Sequence, residues 1–432
     1  MTAKTVSNWA RNQACVPVEI TSPRSAAEVA AIVASAHAAG RRVKAIGTGH
    51  SFTAAAMTAG VLISLERMDG LLHLDAARQR VTVQAGMSLK ALGEHLAAAG
   101  LAMPNLGDIN VQSVAGAINT ATHGTGLTLG NIATTIVGME IVDGHGDVVR
   151  CDETTEPDLL RVARVGLGAL GIVTEVTIQC VGAFNLHAHE TVESFDDVIA
   201  DIDGFVRSAD HAEFFWMPGA RRCRVKRNNR TEEPARPSSK LAYVRDKYIA
   251  ENLGFDLVCR VGRRFPSLAP KIAKIIAAGV AERDLIDRSD KVFASPRLVK
   301  FVEMEYGMPI EHLPEAIERV RKLTETLSFP TLFPIEVRVS AADDIALSTG
   351  YGRASGWIAV HQYRGAPYES YFLGVESIMN DYGGRPHWGK LHFQSAATLR
   401  DRYPEWEAFT AVRDRLDPNR TFQNDYLARV LD

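Results

Sequence analysis

Cysteine is scarce in this chain: five in 432 residues, at positions 15, 151, 180, 223 and 259, with no C-x-x-C. An odd, scattered set builds neither a disulfide framework nor a structural zinc site, and it suits a reducing cytosol. An excess of charge of one sign is missing too. With 48 Lys and Arg against 51 Asp and Glu the net charge is −3, so no global field draws the chain to nucleic acid or to an anionic membrane. A small molecule is then the expected partner. No apolar run approaches the ~18 residues of a membrane span, and the N-terminus lacks the apolar core of a secretion signal. These absences together predict a cytoplasmic protein with no integral membrane segment. Repeats and low-complexity tracts are absent, as is G-x-x-x-x-G-K-[ST], which excludes a P-loop nucleotide site.

What is present is a globular composition, 46% hydrophobic and 23% charged, in a chain long enough for about two or three domains. The first 180 residues alternate strands and helices. Strands are expected at 16–20, 42–46, 61–65, 80–85 and 172–181, and a hairpin joins 135–142 to 148–150 through Asp143-Gly144-His145-Gly146. Ser25 and Glu28 form a capping-box pattern ahead of a helix that Gly40 stops, and a second helix is expected over 88–99. Beyond 181, alternating segments at 184–190, 213–217, 299–306, 333–340 and 356–363 predict an antiparallel sheet, with helices at 268–282 and 312–327. Residues 228–240 read as a polar, proline-containing surface loop. Strands outnumber helices too heavily for a doubly wound sheet, so the expected class is α+β.

Glycine gathers in the turns at 47–49, 107, 116, 124–126 and 166–171. The segment 110–129, N-V-Q-S-V-A-G-A-I-N-T-A-T-H-G-T-G-L-T-L, is built largely of small and hydroxylated residues. Nearly side-chain-free backbone lets amide groups approach an anion closely, and hydroxyls add donors. With no Lys or Arg in the stretch, a phosphate there is held by backbone. One such loop is equally well a tightly packed buried turn, whereas several together favour a diphosphate cofactor. The literal G-x-G-x-x-G at 166–171 fails as a dinucleotide fingerprint, because a helix precedes it and a strand follows.

Charged residues interrupt apolar strands farther on. Glu336 and Arg338 are two apart in an extended segment and so share a face; they are either a solvent-facing ion pair or part of a site. Lys390, beside His387 and Trp388 and after Gly383-Gly384, is a surface lysine or the edge of a shaped pocket. His361 lies in the apolar segment 357–363, as a core histidine or an inward-facing one. His187 and His189 show no ligand partner close in sequence, and no metal site is expected. The basic run 221–227 reads as a solvated strand rim or an anion patch. The short helix within 270–280 reads as core packing or as a membrane-surface element.

The motifs Gly47-Thr48-Gly49-His50-Ser51-Phe52, Ser113-Val114-Ala115-Gly116, Thr122-His123-Gly124-Thr125-Gly126 and Gly168-Ala169-Leu170-Gly171-Ile172-Val173 occur in this order. Together they resemble the FAD-binding domain of the vanillyl-alcohol-oxidase-type flavoproteins. Glu336-Val337-Arg338, Arg385-Pro386-His387-Trp388-Gly389-Lys390 and Leu416-Asp417-Pro418-Asn419-Arg420-Thr421-Phe422 resemble the branch that holds the aldonolactone oxidases and dehydrogenases and the related alditol oxidases. The resemblance runs from about residue 8 to 430 and is weakest over 220–290.

It implies an FAD domain over 1–180, a substrate-binding cap on an antiparallel sheet over 181–385, and a C-terminal segment, 386–432, returning to the first. Gly47, Thr48, Gly49, His50, Ser51, Gly107, Asp108, Ser113, Gly116, Ala117, Thr120, Thr122, His123, Gly124, Gly126, Gly171, Ile172, Val173 and His387 are the implied FAD contacts. His50 matches the residue that many members bond to the flavin 8α-methyl; a histidine that only hydrogen-bonds its loop is the alternative. Glu336, Arg338, Lys390 and His361 are the implied catalytic residues. The implied substrate is a sugar lactone or a polyol, with oxygen or an external electron acceptor to reoxidise the flavin. In the family the position matched by Gly107 influences oxygen access, and glycine there favours oxidase behaviour. Alditol oxidation and a non-catalytic FAD-fold protein are the competing functions.

Overall fold

The structure, a computed structural model of the chain, describes residues 4–268 and 282–432. The helix expected over 268–282 therefore falls almost wholly outside the described residues, and its membrane-surface reading with it.

The N-terminal part holds two main sheets, besides the two-stranded pairs Val6–Ser7 with Ala14–Cys15 and Leu101–Ala102 with Val181–Gly182. A parallel one has the order Glu19–Thr21, Val61–Ser64, Val43–Ile46. An antiparallel one has the order Val148–Asp152, Ile136–Val142, Ile172–Gln179, Arg80–Gln84, Leu71–Asp75. The expected hairpin about Asp143 is present, with Val148 opposite Val142. The Ala26–Ala38 helix starts where expected, and Ser25 Oγ accepts the Glu28 amide at 3.2 Å. The Glu28 carboxylate, however, takes the amide of Arg24 at 2.8 Å rather than that of Ser25. Segment 110–129 is not all loop, since Val114–Asn119 is a short helix capped by Ser113.

The second large element is an eight-stranded sheet in the order Arg283–Arg288, Asn185–Ser194, Arg222–Thr231, His211–Trp216, Ile335–Ser340, Ser355–Tyr363, Phe301–Pro309, Arg385–Pro386. Every pairing in it is antiparallel. Because strand side chains alternate, each strand offers one apolar set to a single face. Phe214, Trp216, Val225, Met304, Tyr306, Ile335, Val337, Ile358 and Val360 pack there with residues of the helices Phe195–Ala200, Ile202–Arg207, Leu313–Thr326 and Glu369–Asp381. Burial of each large side chain stabilises by about 1.5–3 kcal/mol. The opposite face carries Glu213, Lys226, Glu303, Glu305, Glu336, Arg338, Trp357 and His361, and its carboxylates, Arg338 and His361 are buried. Charges leave water only when paired, so something must cover and satisfy this face. The cover is the N-terminal part: Gly126 donates its amide to Val339 O at 2.9 Å, and Thr125 Oγ1 donates to Ala212 O at 2.7 Å.

Two large, separate apolar cores result, beside two small clusters around Phe333 and Met57. One large core joins residues between 29 and 186 with Ile345–Leu347 and residues between 388 and 431; the other lies within 195–379. Among the described residues no helix is long and apolar enough to cross a membrane. One expectation needs correction. The strand Arg222–Thr231 extends into the anticipated loop at 228–240, because Asn228 to Thr231 complete its ladder with Asn185–Ala188. From 240 to 264 the chain is helical, where no element was expected.

Candidate active site

Four glycine-bearing turns meet above the charged face. The turn after the Val43–Ile46 strand is held by Trp9, whose amide donates to Gly49 O at 2.7 Å, and by Asn8, which donates to Ser51 O at 2.9 Å. Gly49 lies at φ +69°, the left-handed region that favours glycine. A Cβ on Gly47 would collide with Ser113 Oγ, so the first turn sits directly against the N-cap of the Val114–Asn119 helix. Within that helix start, Ser113 Oγ accepts the Gly116 amide at 3.2 Å and Ala117 is buried. Thr120 Oγ1 donates to Gly116 O at 3.1 Å and lies 3.4 Å from Thr122 Oγ1. A Cβ on Gly124 would strike Leu106 O and Asn105, and one on Gly107 would lie 3.0 Å from His123 O, so the 105–108 and 122–126 turns are stacked. The His387–Lys390 turn joins them, since Phe52 N donates to Gly389 O at 2.7 Å.

Gly171, Ile172 and Val173 lead into Thr174, whose carbonyl accepts the Ala85 amide at 2.9 Å, and the Ala85 carbonyl in turn accepts Ala115 N at 2.9 Å from the Val114–Asn119 helix start. Ile172 and Val173 pair with Val142 and Ile141 inside the five-stranded sheet, and Gly171 packs against the same strand. His50 stacks on Trp9 with ring centroids 5.5 Å apart. Burial, then Lys300 and Lys390, lowers its pKa to about 4, which leaves a neutral imidazole. His387 is buried, accepts the Gly389 amide on Nδ1 at 3.0 Å, and burial lowers its pKa to about 3. His123 stacks on Trp357 at 3.7 Å, with Nε2 3.3 Å from Glu305.

The implied catalytic residues meet on the sheet face. Arg338 donates to Glu213 at 2.8 Å and pairs with Asp108 at 2.8 Å. It also touches Glu336, yet Glu336 Oε1 is buried without a hydrogen bond. Burial, reinforced by Asp108 and Glu213 and opposed by Arg338, pushes the Glu336 pKa well above the usual carboxylate range. Asp108 behaves in the opposite way: burial raises it, but Arg338, Lys226 and Arg297 outweigh that and hold it ionised. Lys390 Nζ lies 2.5 Å from Glu303, and the buried Trp388, donating to Leu347 O at 2.7 Å, anchors the turn that aims it. His361 donates from Nδ1 to Pro334 O at 2.9 Å, and its Nε2 lies 3.4 Å from Glu303. Against burial, Lys390 brings Glu303 down to about 2.

Sequence reasoning missed Glu213, Lys226, Arg297, Glu303 and Glu305. The last two carried a readable signal, because Phe301-Val302-Glu303-Met304-Glu305-Tyr306 alternates as the Glu336 strand does. Of the basic run, Arg221 and Arg222 are exposed, as a solvated rim predicts, but the cations beyond them are paired. Lys226 is 2.7 Å from Glu213, and Arg224 and Arg227 pair with Glu190 and Glu193. His187 and His189 do have a carboxylate neighbour, Asp284, at 2.9 and 3.3 Å.

These residues fit a flavin dinucleotide. Among the described residues the amides of Thr48, His50 and Ser51, and those of His123, Gly124 and Thr125, find no acceptor. Donor-rich turns without cations suit a diphosphate.

Comparison with known proteins agrees. Residues 176–430 match the D-arabinono-1,4-lactone oxidase family, and residues 17–152 match the FAD binding domain family. An L-gulono-1,4-lactone dehydrogenase of Mycobacterium tuberculosis is 46% identical over 425 residues, covering 98% of each chain. An L-gulonolactone oxidase of Scyliorhinus torazame is 33% identical over 432 residues, covering 98% of this chain and 97% of that protein. Among solved structures, a solvent-stable cholesterol oxidase superposes with a TM-score of 0.84 at 19% identity, covering 98% of this chain and 97% of that one. That last likeness is one of fold. The chain belongs to the D-arabinono-1,4-lactone oxidase family, and carries that family's chemistry together with an FAD-binding domain.

Proposed function

We propose that the protein oxidises an aldono-1,4-lactone of the L-gulono, L-galactono or D-arabinono type at C2, giving a 2-keto lactone that tautomerises to an ascorbate-type enediol. The observation that carries this reading is the buried charged sheet face, with Glu336, Arg338, Lys390, His361 and Glu303 turned toward the open-amide turns. Residues 1–180 with 386–432 act as the FAD domain and 181–385 as the cap; the two separate cores support that division.

Bound FAD supplies the two-electron acceptor. The protein's part is to bind, orient and manage charge. Lys390 and Arg338 face the oxygen on which negative charge develops as the carbinol C–H bond breaks. Asp108 and Glu213 grip Arg338, and Glu303 grips Lys390, so neither cation reorganises during the step. Neutral Glu336 donates to a second hydroxyl. His361, with Nδ1–H committed to Pro334 O, presents Nε2 as the acceptor of the hydroxyl proton, and Glu303 then stabilises the imidazolium. His50, kept neutral, is a competent nucleophile for covalent attachment to the flavin. Colour that stays with acid-precipitated protein supports the link, and colour in the supernatant rules it out. Gly107 supports oxygen as an acceptor, with an external carrier as the other. Five free cysteines suit a reducing cytoplasm.

Lys390→Ala should slow flavin reduction by lactone by roughly 10²-fold while FAD stays bound, as loss of one oxyanion donor does elsewhere. Single-turnover bleaching with a panel of lactones and alditols measures this. An unchanged rate removes Lys390 from the mechanism, and bleaching by alditols alone replaces the substrate class.

A further inference from the structure

Away from the charged face, a cavity of about 390 Å³ opens between the helical stretch containing Asn252, Asp256 and Arg263 and the strand ends at Val299, Lys300 and Tyr363. Arg263, Lys300 and Arg364 line it, and Arg11 stands near enough to act on Lys300. Arg260, also in the lining, is matched by Asp256 at 2.7 Å. The other cations are not matched: among the described residues none has a carboxylate at ion-pair distance, and residues 1–3 and 269–281 contain no Asp or Glu. They are instead held by groups that fix position without cancelling charge. Lys300 Nζ lies 3.8 Å from the centre of a Trp9 ring, Arg263 sits 5.4 Å over Tyr363, and Arg263 donates to Arg364 O at 3.0 Å. In a chain whose total charge is −3, so local a positive excess around a concavity favours an anion. One aromatic layer separates it from the site: the Phe333 ring lies 6.4 Å from Tyr363 and 6.2 Å from His361.

We propose that this cavity is a second binding site, for a small polyhydroxylated organic monoanion. The inference rests on the lactone-oxidising reading above, because that reaction turns an uncharged substrate into an acid. The enediol product is a vinylogous carboxylic acid and is ionised at neutral pH. The open-chain aldonate released when the lactone ring hydrolyses has the same charge and hydroxyl pattern. Unmatched guanidinium and ammonium groups attract either anion and give the neutral lactone nothing comparable.

Calorimetric titration of the FAD-loaded protein tests this, using L-gulonate, and ascorbate under anaerobic conditions, each with saturating L-gulono-1,4-lactone present. Binding should persist beside the lactone and weaken with added salt. It should fall about tenfold or more in Arg263→Gln/Arg364→Gln, the loss expected for charge-assisted bonds. Lys300→Gln is the independent variant should the double one fold poorly. Tighter ascorbate binding identifies the product as the ligand, and tighter gulonate binding identifies the hydrolysed substrate. Anion binding that is absent, displaced by lactone or unchanged in both variants overturns the proposal. Lactone-driven bleaching of the flavin in the same preparation keeps the two readings apart: no bleaching defeats the functional reading, whereas bleaching without anion binding defeats only the second site.

Discussion

Glu336 and Arg338 sit two residues apart on one strand, yet burial drives the acid's pKa well above its ordinary value, while against burial the neighbouring carboxylates raise that of the base. A neutral carboxylic acid is closely imitated by its amide. Glu336→Gln should therefore keep kcat/KM within a few-fold, whereas Glu336→Ala should lose roughly tenfold or more, the effect of one lost hydrogen bond to a charged or polarised partner. Equal losses in both variants would show that the ionised form is needed. Lys44 offers a test on stability. It is fully buried, donates to Gly168 O at 2.9 Å and Phe422 O at 3.2 Å, and burial, then Arg413, lowers its pKa from 10.5 to about 7. Between those two values the unfolded chain holds a proton that the folded chain has lost. The Lys44 contribution to unfolding free energy therefore rises with pH across that window, by up to about 1.4 kcal/mol per pH unit, and is least below pH 7. Denaturant titrations of wild type and Lys44→Met at pH 7 and pH 9 should show the difference shifting in favour of wild type at the higher pH.

At the scale of elements, turns and strands differ in what they tolerate. The 122–126 turn approaches the 105–108 turn so closely that no Cβ fits at Gly124. Gly124→Ala must displace one backbone from the other, and the purified variant should carry less flavin per chain than wild type. Absorbance ratios and thermal melts with added FAD measure this; full occupancy with an unchanged melt would mean that the turns have room to part. The Phe301–Pro309 strand shows what a pattern reading leaves out. Its Val302, Met304, Tyr306 set was legible as a core face, and the same alternation put Glu303 and Glu305 on the opposite face without showing whether anything covers it. An exposed strand carries the same alternation, and only the cover above it makes those positions buried.

For the molecule as a whole, Arg338 is the junction. Its guanidinium joins Asp108, from the N-terminal part, to Glu213 and Glu336 on the eight-stranded sheet. The three carboxylates lie close enough for their oxygens to fall within 4.8 Å of one another; Lys226 and Arg297 reach only Asp108 and Glu213, whereas Arg338 contacts all three. Its removal leaves buried acids facing each other, so Arg338→Met should destabilise by roughly 3–5 kcal/mol. Adding Asp108→Asn should recover part of that loss, because the two sites are directly coupled. Additive losses in denaturant unfolding would place the stabilisation elsewhere.

Local rules in the sequence were enough for the α+β class, the antiparallel sheet beyond residue 181, the turn positions and the alternating strands, because hydrophobic period, glycine and capping residues act over a few neighbours. The same rules singled out Glu336, Arg338, Lys390 and His361 as polar interruptions of apolar segments. They left solvent-facing pairs and a surface lysine standing as alternatives. Tertiary structure decided between these. Lys226 passed for a solvated rim residue until Glu213, 13 positions earlier, was brought to 2.7 Å, and Lys390 needed Glu303 from a strand 87 residues before it at 2.5 Å. Whether a charge is solvated or buried depends on what the rest of the chain lays over it, and that covering is a long-range property which no window of sequence contains.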